Sequence, residues 1–403
     1  MIHIVRVLLD NGVDVNAQEG NHGTALQAAA FEGKQEIVQI LLENKADVNS
    51  QGGEFETALQ AASYGGHLMI VKLLLEEGAN VNIQGGYYGN ALQAASKKGS
   101  ITIVQLLLEN GADINTLSGV YGTALQAASF EGHFDIVQLL LESGADINIQ
   151  GGQYQTALQV ASYGGHITVV ELLLENNADV NVQGGYYGDA LQAASSGGHV
   201  AIIQLLLEKG ANVNSQGGEY GSALQAASII EHEAIVQYLL ERGANPNLGS
   251  AKNESPLQAA SSRGHEAIVL LLLQSGANVN MESGFYGNAL QAACYGGHDT
   301  IVQILLENGA DVNIKGGFYG TALQACSYRG HKQIMEILVE KGADLNIPGG
   351  KYGSVSNAAH FSGHNDIFQL LKNVNAESNS EDEDIEFYSC RSTSSKSSYY
   401  SFE

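Results

Sequence analysis

The sequence predicts an all-α solenoid of short helix–turn–helix units, and three observations carry that prediction. The stretch Thr24-Ala25-Leu26-Gln27-Ala28-Ala29 returns in close variants every 33 residues, opening at positions 24, 57, 90, 123, 156, 189, 222, 255, 288, 321 and 354 without slippage. A second apolar stretch with the spacing of one helical face follows each copy. Only 3 prolines accompany 49 glycines, so the turns between these stretches are of one recurring kind. A chain of 403 residues would otherwise suggest two or three globular domains. Fixed self-similarity at this period overrides that prior and points to one elongated stack without a single central core.

The unit opening at Thr123 shows how each element arises. The slot residue is Thr, Ser, Asn or Asp in all eleven copies, the side chains that accept a hydrogen bond from an unpaired N–H in a helix's first turn. Leu125, Ala127 and Ala128 then give the first helix an apolar face, with alanines small enough for helices to approach closely. Pro256 takes the first helical position of its unit, where a missing N–H costs nothing. Gly132 ends the first helix in the left-handed conformation, and ten of eleven units carry glycine there. The second helix is predicted from about 134 to 142. Ile136, Val137, Leu140 and Leu141 lie on its inner face, and Asp135, Gln138 and Glu142 point outward. Gly144 stops it, an extended turn through Asn148 follows, and a glycine-rich tip at 151–154 completes the unit. Neither helix reaches the roughly 12–15 residues at which an isolated helix becomes marginally stable. The chain therefore folds as an array or not at all.

These residues carry a resemblance to ankyrin repeats. The unit reads T-A-L-Q-A-A-S-x-x-G-H-x-x-I-V-Q-L-L-L-E-x-G-A-D-V-N, and the resemblance covers residues 1–373 as a half unit, 1–16, followed by eleven units. Two departures stand out. The family's usual His after T-P-L is Gln here (Gln27, Gln60, Gln93 and onward), which still both donates and accepts. The finger tip reads Gly-Gly-x-Tyr-Gly, as at 85–89, and the extra glycines permit positive φ, so its geometry is expected to differ from the family's usual hairpin. This wording resembles filamentous-fungal ankyrin arrays, which often form the C-terminal part of NACHT-type nucleotide-binding receptors.

The opening segment aligns with a second helix lacking its first, which suggests a piece of a longer protein. At the other end Val355, Ser356 and Asn357 replace Ala, Leu and Gln, and Lys372-Asn373 replace Leu-Glu, as a polar cap requires. Residues 374–403, with nine serines and the acidic run 381–384, are expected to be disordered. Ser380, followed by four acids, fits an acid-directed kinase, against the plainer reading of a solvated tail. Residues 229–254 break pattern: Glu231 stands where other units have glycine, Pro246 sits in the stem, and the tip lacks the Gly-Gly-x-Tyr signature. They are read as the weakest joint or as drift in one copy.

Composition excludes several functions. A net charge of −25, with 43 acidic and 18 basic residues, opposes nucleic acid and anionic membranes and suits a protein partner with basic patches. The longest apolar run, 267–273, is far short of the roughly 20 residues a membrane span needs. No charged-then-apolar leader opens the chain, which points to the cytoplasm or nucleus. Cys294, Cys326 and Cys390 make no disulfide framework; the first two read as small side chains in a reducing compartment. Nine histidines share one slot, from His67 to His364. Copies one helix-packing distance apart, about 8–10 Å, do not share an ion whose bonds are ~2.0–2.1 Å. They are read as ties across the turn between the two helices. No tip carries a phosphate-loop pattern. No enzyme, metal site or cofactor is expected.

What remains is a surface. Two slots vary between units. One lies in the tip, before the Tyr, and includes Tyr87, Tyr186, Phe285 and Phe318; the other ends the first helix and includes Tyr64, Phe130, Tyr163, Tyr295 and Tyr328. The resemblance implies that both line a concave groove that grips partners, and aromatics dominate binding hot spots; plain packing is the alternative reading of the same slots. The next tip slot is a nearly unbroken Tyr ladder from Tyr88 to Tyr352, which reads first as finger-on-finger packing. The expected function is a non-catalytic protein–protein interaction module acting as a monomer. The alternatives are the ligand-sensing end of a NACHT-type receptor and a structural spacer.

Overall fold

The side chain that opens each unit does close a helix end. In the computed structural model, Thr156 Oγ1 accepts the Gln159 N–H at 3.2 Å while Gln159 Oε1 accepts the Thr156 N–H at 2.9 Å. The same reciprocal box forms at Thr24, Thr57, Thr123, Asp189, Ser255, Asn288 and Thr321, and it satisfies two otherwise orphaned donors. The structure describes residues 1–18, 20–249, 254–369 and 371. Among them, first helices of 7 or 8 residues alternate with second helices of 9, as in Ala157–Gly164 and Ile167–Glu175. The tips are hairpins closed by single β-bridges such as Gly184↔Gly188. No described helix is long and apolar enough to cross a membrane.

The second helix of the Thr123 unit spans Phe134–Glu142, as expected, with Ile136, Val137 and Leu140 buried and Asp135, Gln138 and Glu142 exposed. Leu141 is only half-buried. The first helix departs further from a one-face reading. Ala124, Leu125, Gln126, Ala127, Ala128 and Ser129 are all buried. The reason is position: each first helix is sandwiched between its two neighbours, its own second helix and the next finger. Alanines are needed all round it, and each fully buried Leu contributes about 1.5–3 kcal/mol.

Three side chains sew unit to unit. Gln159 Nε2 reaches into the following finger stem and donates to the carbonyls of Val182 at 3.2 Å and Gly188 at 2.9 Å. The stem asparagines form a second seam: Asn148 Oδ1 accepts the Asp179 N–H at 2.9 Å, and Asn181 Oδ1 accepts the Asn212 N–H at 3.0 Å. The histidines form a third, and they correct the expectation of a tie within one turn. His166 Nε2 meets the Phe130 carbonyl of the preceding unit at 3.0 Å, and His199 meets that of Tyr163 at 2.8 Å. A carbonyl only accepts, so Nε2 carries the proton. The turn glycine makes room for this ring: a Cβ on Gly132, at φ +75°, would stand 2.3 Å from His166 Nδ1.

Glu231 fills that glycine slot with φ 62°, and its helix, Ala223–Ile229, has 7 residues instead of 8. A left-handed residue with a Cβ costs about 1–2 kcal/mol. The histidine and asparagine seams nevertheless cross this unit. His265 Nε2 still meets the Ile229 carbonyl at 3.2 Å, with Glu231 Oε1 3.6 Å from its Nδ1. The asparagine seam runs from Asn214 to the Asn245 N–H at 2.7 Å and from Asn247 to the Asn278 N–H at 2.6 Å. Pro246 sits between the Asn245 N–H, which donates to Asn214, and the Asn247 N–H, which donates to Asn245 Oδ1 at 2.9 Å, so its missing donor breaks neither bond. The tip at 250–253 lies outside the described residues.

At the ends, the Ile2–Asp10 helix buries no residue, and Ile4 and Leu8 are exposed. In the last described unit Ser356 is half-buried and Asn357 exposed, where Leu and Gln are buried in the units before. Lys372, Asn373, Ser380 and Cys390 lie outside the described residues. Cys294 and Cys326 are free and fully buried, and burial pushes the Cys326 thiol up to about 12.

Two outcomes follow. Gln159→Glu keeps the acceptor but removes the donor and buries a charge. Equilibrium unfolding in denaturant is expected to show a loss of about 2–3 kcal/mol at neutral pH. The loss should shrink as acid protonates the carboxyl, because the protonated form donates again. Glu231→Gly relieves the strained φ and should slow amide exchange in residues 223–241 relative to the parent chain; unchanged exchange there would remove the weak joint.

Candidate protein-interaction surface

The tip geometry follows from its glycines. Gly184 N–H donates to the Gly188 carbonyl at 2.7 Å, closing a hairpin around Gly185, Tyr186 and Tyr187. Gly188 sits at φ +88°, where a Cβ would stand 1.6 Å from Gln192 Oε1 and 3.0 Å from the Gly217 carbonyl carbon. A side chain there would have to displace the Gln192 amide at a left-handed φ, although two units do carry one in this slot, Glu56 at φ 67° and Gln155 at φ 72°.

Successive hairpins hydrogen-bond through the backbone of the variable slot. Val120 N–H donates to the Tyr87 carbonyl at 3.1 Å, Gln153 to Val120 at 3.1 Å, and Glu219 to Tyr186 at 2.9 Å. The chain of bonds resumes with Phe318 to Phe285 and Lys351 to Phe318, both at 2.9 Å. The main chain of this slot therefore holds the fingers together whatever the side chain is. The side chains keep one side open: Tyr87 is 49% exposed, Tyr186 42% and Phe285 50%, each with its ring against a neighbour, Tyr121, Tyr220 and Phe318 in turn.

The other slots are less free. Ladder rings lie inward and stack finger on finger, with Tyr154 and Tyr187 centroids 5.7 Å apart. Helix-end aromatics lean on them: Tyr64 on Tyr88 at 4.1 Å, Tyr163 on Tyr187 at 4.3 Å and Tyr328 on Tyr352 at 5.0 Å. Phe130 stacks on Tyr154 at 5.4 Å, and Tyr295 meets Tyr319 at 4.9 Å. Tyr64, Phe130, Tyr295, Phe318 and Tyr328 are half-buried, while Tyr163 is at the edge of exposure. The structure thus brings all nine expected residues onto one face but divides them into projecting rings and supporting rings. Burial, reinforced by the neighbouring Tyr163 and Tyr64 phenols, holds the Tyr187 and Tyr88 phenols well above their usual range; Tyr186 is pushed up to about 12 by burial and Tyr220.

Sequence reasoning missed the cations of this face. Lys97 Nζ lies 4.9 Å from the Tyr121 ring centre and 5.0 Å from that of Phe130, and forms an ion pair with Glu131. The Arg329 guanidinium lies 4.8 Å from Tyr295, and Lys351 Nζ 4.9 Å from Phe318. Such contacts contribute about 0.5–1 kcal/mol each at exposed sites. Lys97 and Lys351 occupy the two variable slots themselves, which was the available signal. Ser196, Ile229 and Ser262 interrupt the aromatics, so the strip falls into two patches.

Seven slot histidines (67, 133, 166, 199, 265, 298 and 331) spend Nε2 on main-chain carbonyls, and burial lowers the proton affinity of His331. No group of His, Cys, Asp and Glu among the described residues has metal-binding geometry. An apolar hollow of about 380 Å³ lies between the Ile2–Asp10 helix and the Thr24 helix, lined by Val5, Leu8, Val13 and Leu41.

Comparison with characterised proteins returned no match. The family description "Ankyrin repeats (3 copies)" matches residues 1–52, 50–118, 86–151, 124–217, 191–283, 223–316 and 290–382, overlapping windows that leave none of the first 382 residues uncovered. Proteins of this kind generally act as non-catalytic modules for protein–protein interaction. With the 33-residue unit, the paired helices, the hairpin tip and the family match in agreement, the chain belongs to the ankyrin-repeat family.

Proposed function

We propose that this array is a monomeric, non-catalytic protein-binding module of the cytoplasm or nucleus, gripping its partner through the aromatic face of its tips and first-helix ends. One observation carries the reading: backbone hydrogen bonds join the tip slots from finger to finger, while the Tyr87, Tyr186 and Phe285 rings rest on neighbouring rings by one side and stay exposed on the other. Exposed rings of this size are the usual anchors of an interface. The partner fits best as a protein presenting Lys or Arg. The chain's own Lys97, Lys351 and Arg329 already lie over rings of the strip, and Tyr186, beside Glu219, offers a further ring next to a carboxylate. The net charge of −25 favours the same class and disfavours nucleic acid.

The wording T-A-L-Q and G-G-x-Y-G favours a second reading, in which the array is the sensing end of a NACHT-type receptor. A nucleotide-binding domain encoded upstream in frame would support it.

The experiment is affinity capture with the array, identification of the partner by mass spectrometry, and titration of the purified partner. The triple variant Tyr87→Ser, Tyr186→Ser, Phe285→Ser is expected to weaken binding at least about 30-fold, as loss of two or more anchors of ~1–2 kcal/mol implies. Helical content should stay unchanged. Equal affinity for parent and variant would leave the array a spacer, or place its binding elsewhere.

A further inference from the structure

The array contains one aromatic frame twice, three units apart. Tyr64, Tyr87, Tyr88 and Tyr121 recur 99 residues later as Tyr163, Tyr186, Tyr187 and Tyr220. The geometry recurs with them. Tyr64 and Tyr88 ring centres lie 4.1 Å apart at an interplanar angle of 27°, and those of Tyr163 and Tyr187 lie 4.3 Å apart at 24°. Tyr87 stands at 78° to Tyr88 and 83° to Tyr121, at 5.0 and 6.2 Å. Tyr186 stands at 89° to Tyr187 and 86° to Tyr220, at 5.1 and 6.0 Å.

The two frames differ in the cations that accompany them. The first holds two of the chain's own: Lys97 Nζ lies 4.9 Å from the Tyr121 ring centre, paired with Glu131, and Lys98 Nζ lies 5.9 Å from that of Tyr64. In matching register the second frame has Ser196 and Gly197, and neither carries a charge. Among the described residues no Lys or Arg lies over Tyr163, Tyr186, Tyr187 or Tyr220.

Negative charge changes the opposite way. Val120 of the first frame becomes Glu219 in the second, while Ile230 stands where the first has Glu131. The Glu219 N–H donates to the Tyr186 carbonyl at 2.9 Å, which fixes this residue beside the ring, and Glu219 is exposed. Tyr163 and Tyr186 also reach solvent. Rings set at right angles, with a carboxylate at their rim, offer an ammonium both a ring face and a counter-charge.

We infer that the frame of Tyr163, Tyr186, Tyr187 and Tyr220, with Glu219, is the site that takes a lysine side chain of the protein partner. The incoming ammonium rests against Tyr186 and Tyr220, as Lys97 rests against Tyr121 in the first frame, and Glu219 balances its charge. This inference rests on the reading of the aromatic face as a partner-binding surface, and it names the part of that face that selects. The first frame is filled by the chain's own lysines, which repel a further cation. The second leaves the same place to the partner.

The test is NMR on the full chain with isotope-labelled tyrosine, titrated with the peptide acetyl-Gly-Lys-Gly-amide and with its uncharged norleucine analogue. Tyr186 and Tyr220 ring signals should move with the lysine peptide and not with the analogue, while those of Tyr87 and Tyr121 stay in place with both. Glu219→Gln should weaken the response about 2–5-fold. Ser196→Lys, which supplies an internal lysine in the register of Lys97, should abolish it, and circular dichroism should show parental helical content in both variants. An equal response to norleucine, an equal response of the two frames, or silence at Tyr186 and Tyr220 would overturn the lysine site. Loss of the partner in the Tyr87, Tyr186, Phe285 variant would then still uphold the aromatic face as the interface. A lysine response in a chain whose Glu219→Gln and Ser196→Lys forms bind the purified partner as the parent does would overturn this frame as the partner's anchor.

Discussion

A helix of seven to nine residues has too few internal bonds to hold itself in water, and every other feature of this chain answers that constraint. Each unit leaves polar groups that only its neighbour can satisfy. Gln159 closes its own helix with Oε1 and holds the next finger with Nε2. Asn148 and His166 make the other two seams, one toward the next stem and one toward the preceding helix end. Around these polar seams lies a continuous apolar stack in which first helices are buried nearly all round. Stability therefore resides in interfaces between units, as a nearest-neighbour chain, and no single unit is a folding domain.

Much of this was legible in the residues. The period fixes the stack, the Thr or Asp before each first helix fixes its start, and the spacing of Ile136, Val137 and Leu140 fixes the face of the second helix. What the sequence hid were partners that are main-chain atoms of another unit. Gln in place of the family's usual His is visible, but its targets at Val182 and Gly188 are carbonyls, which leave no residue signature. The same holds for His166, whose target is the Phe130 carbonyl. The glycine before each histidine suggested only a left-handed turn, although the next unit's ring also needs the empty space.

The surface was half legible for a related reason. Variation between units marks a slot as free of one fixed side chain, but not as free of packing. Tyr64 and Tyr163 vary and still lean on ladder rings, whereas Tyr87, Tyr186 and Phe285 project. The backbone bonds of the tip slot explain the difference. A slot held by its own N–H and C=O can exchange Tyr for Glu, Val or Lys without disturbing its neighbours, and that freedom lets one frame carry many surfaces. The chain's own Lys97, Arg329 and Lys351 settle over rings of this surface.

The central claim is that frame and surface are separate: main-chain bonds hold the fingers, and the exposed rings do not. Amide exchange at the tips, read in the full chain with Tyr87, Tyr186 and Phe285 all changed to Ser, tests it most directly. The account predicts that the Val120, Glu219 and Phe318 N–H groups, which donate to those three residues, keep their protection to within a few-fold. Loss of that protection, with faster exchange in the helices beside those tips, would show that the rings hold the array together and would contradict the separation.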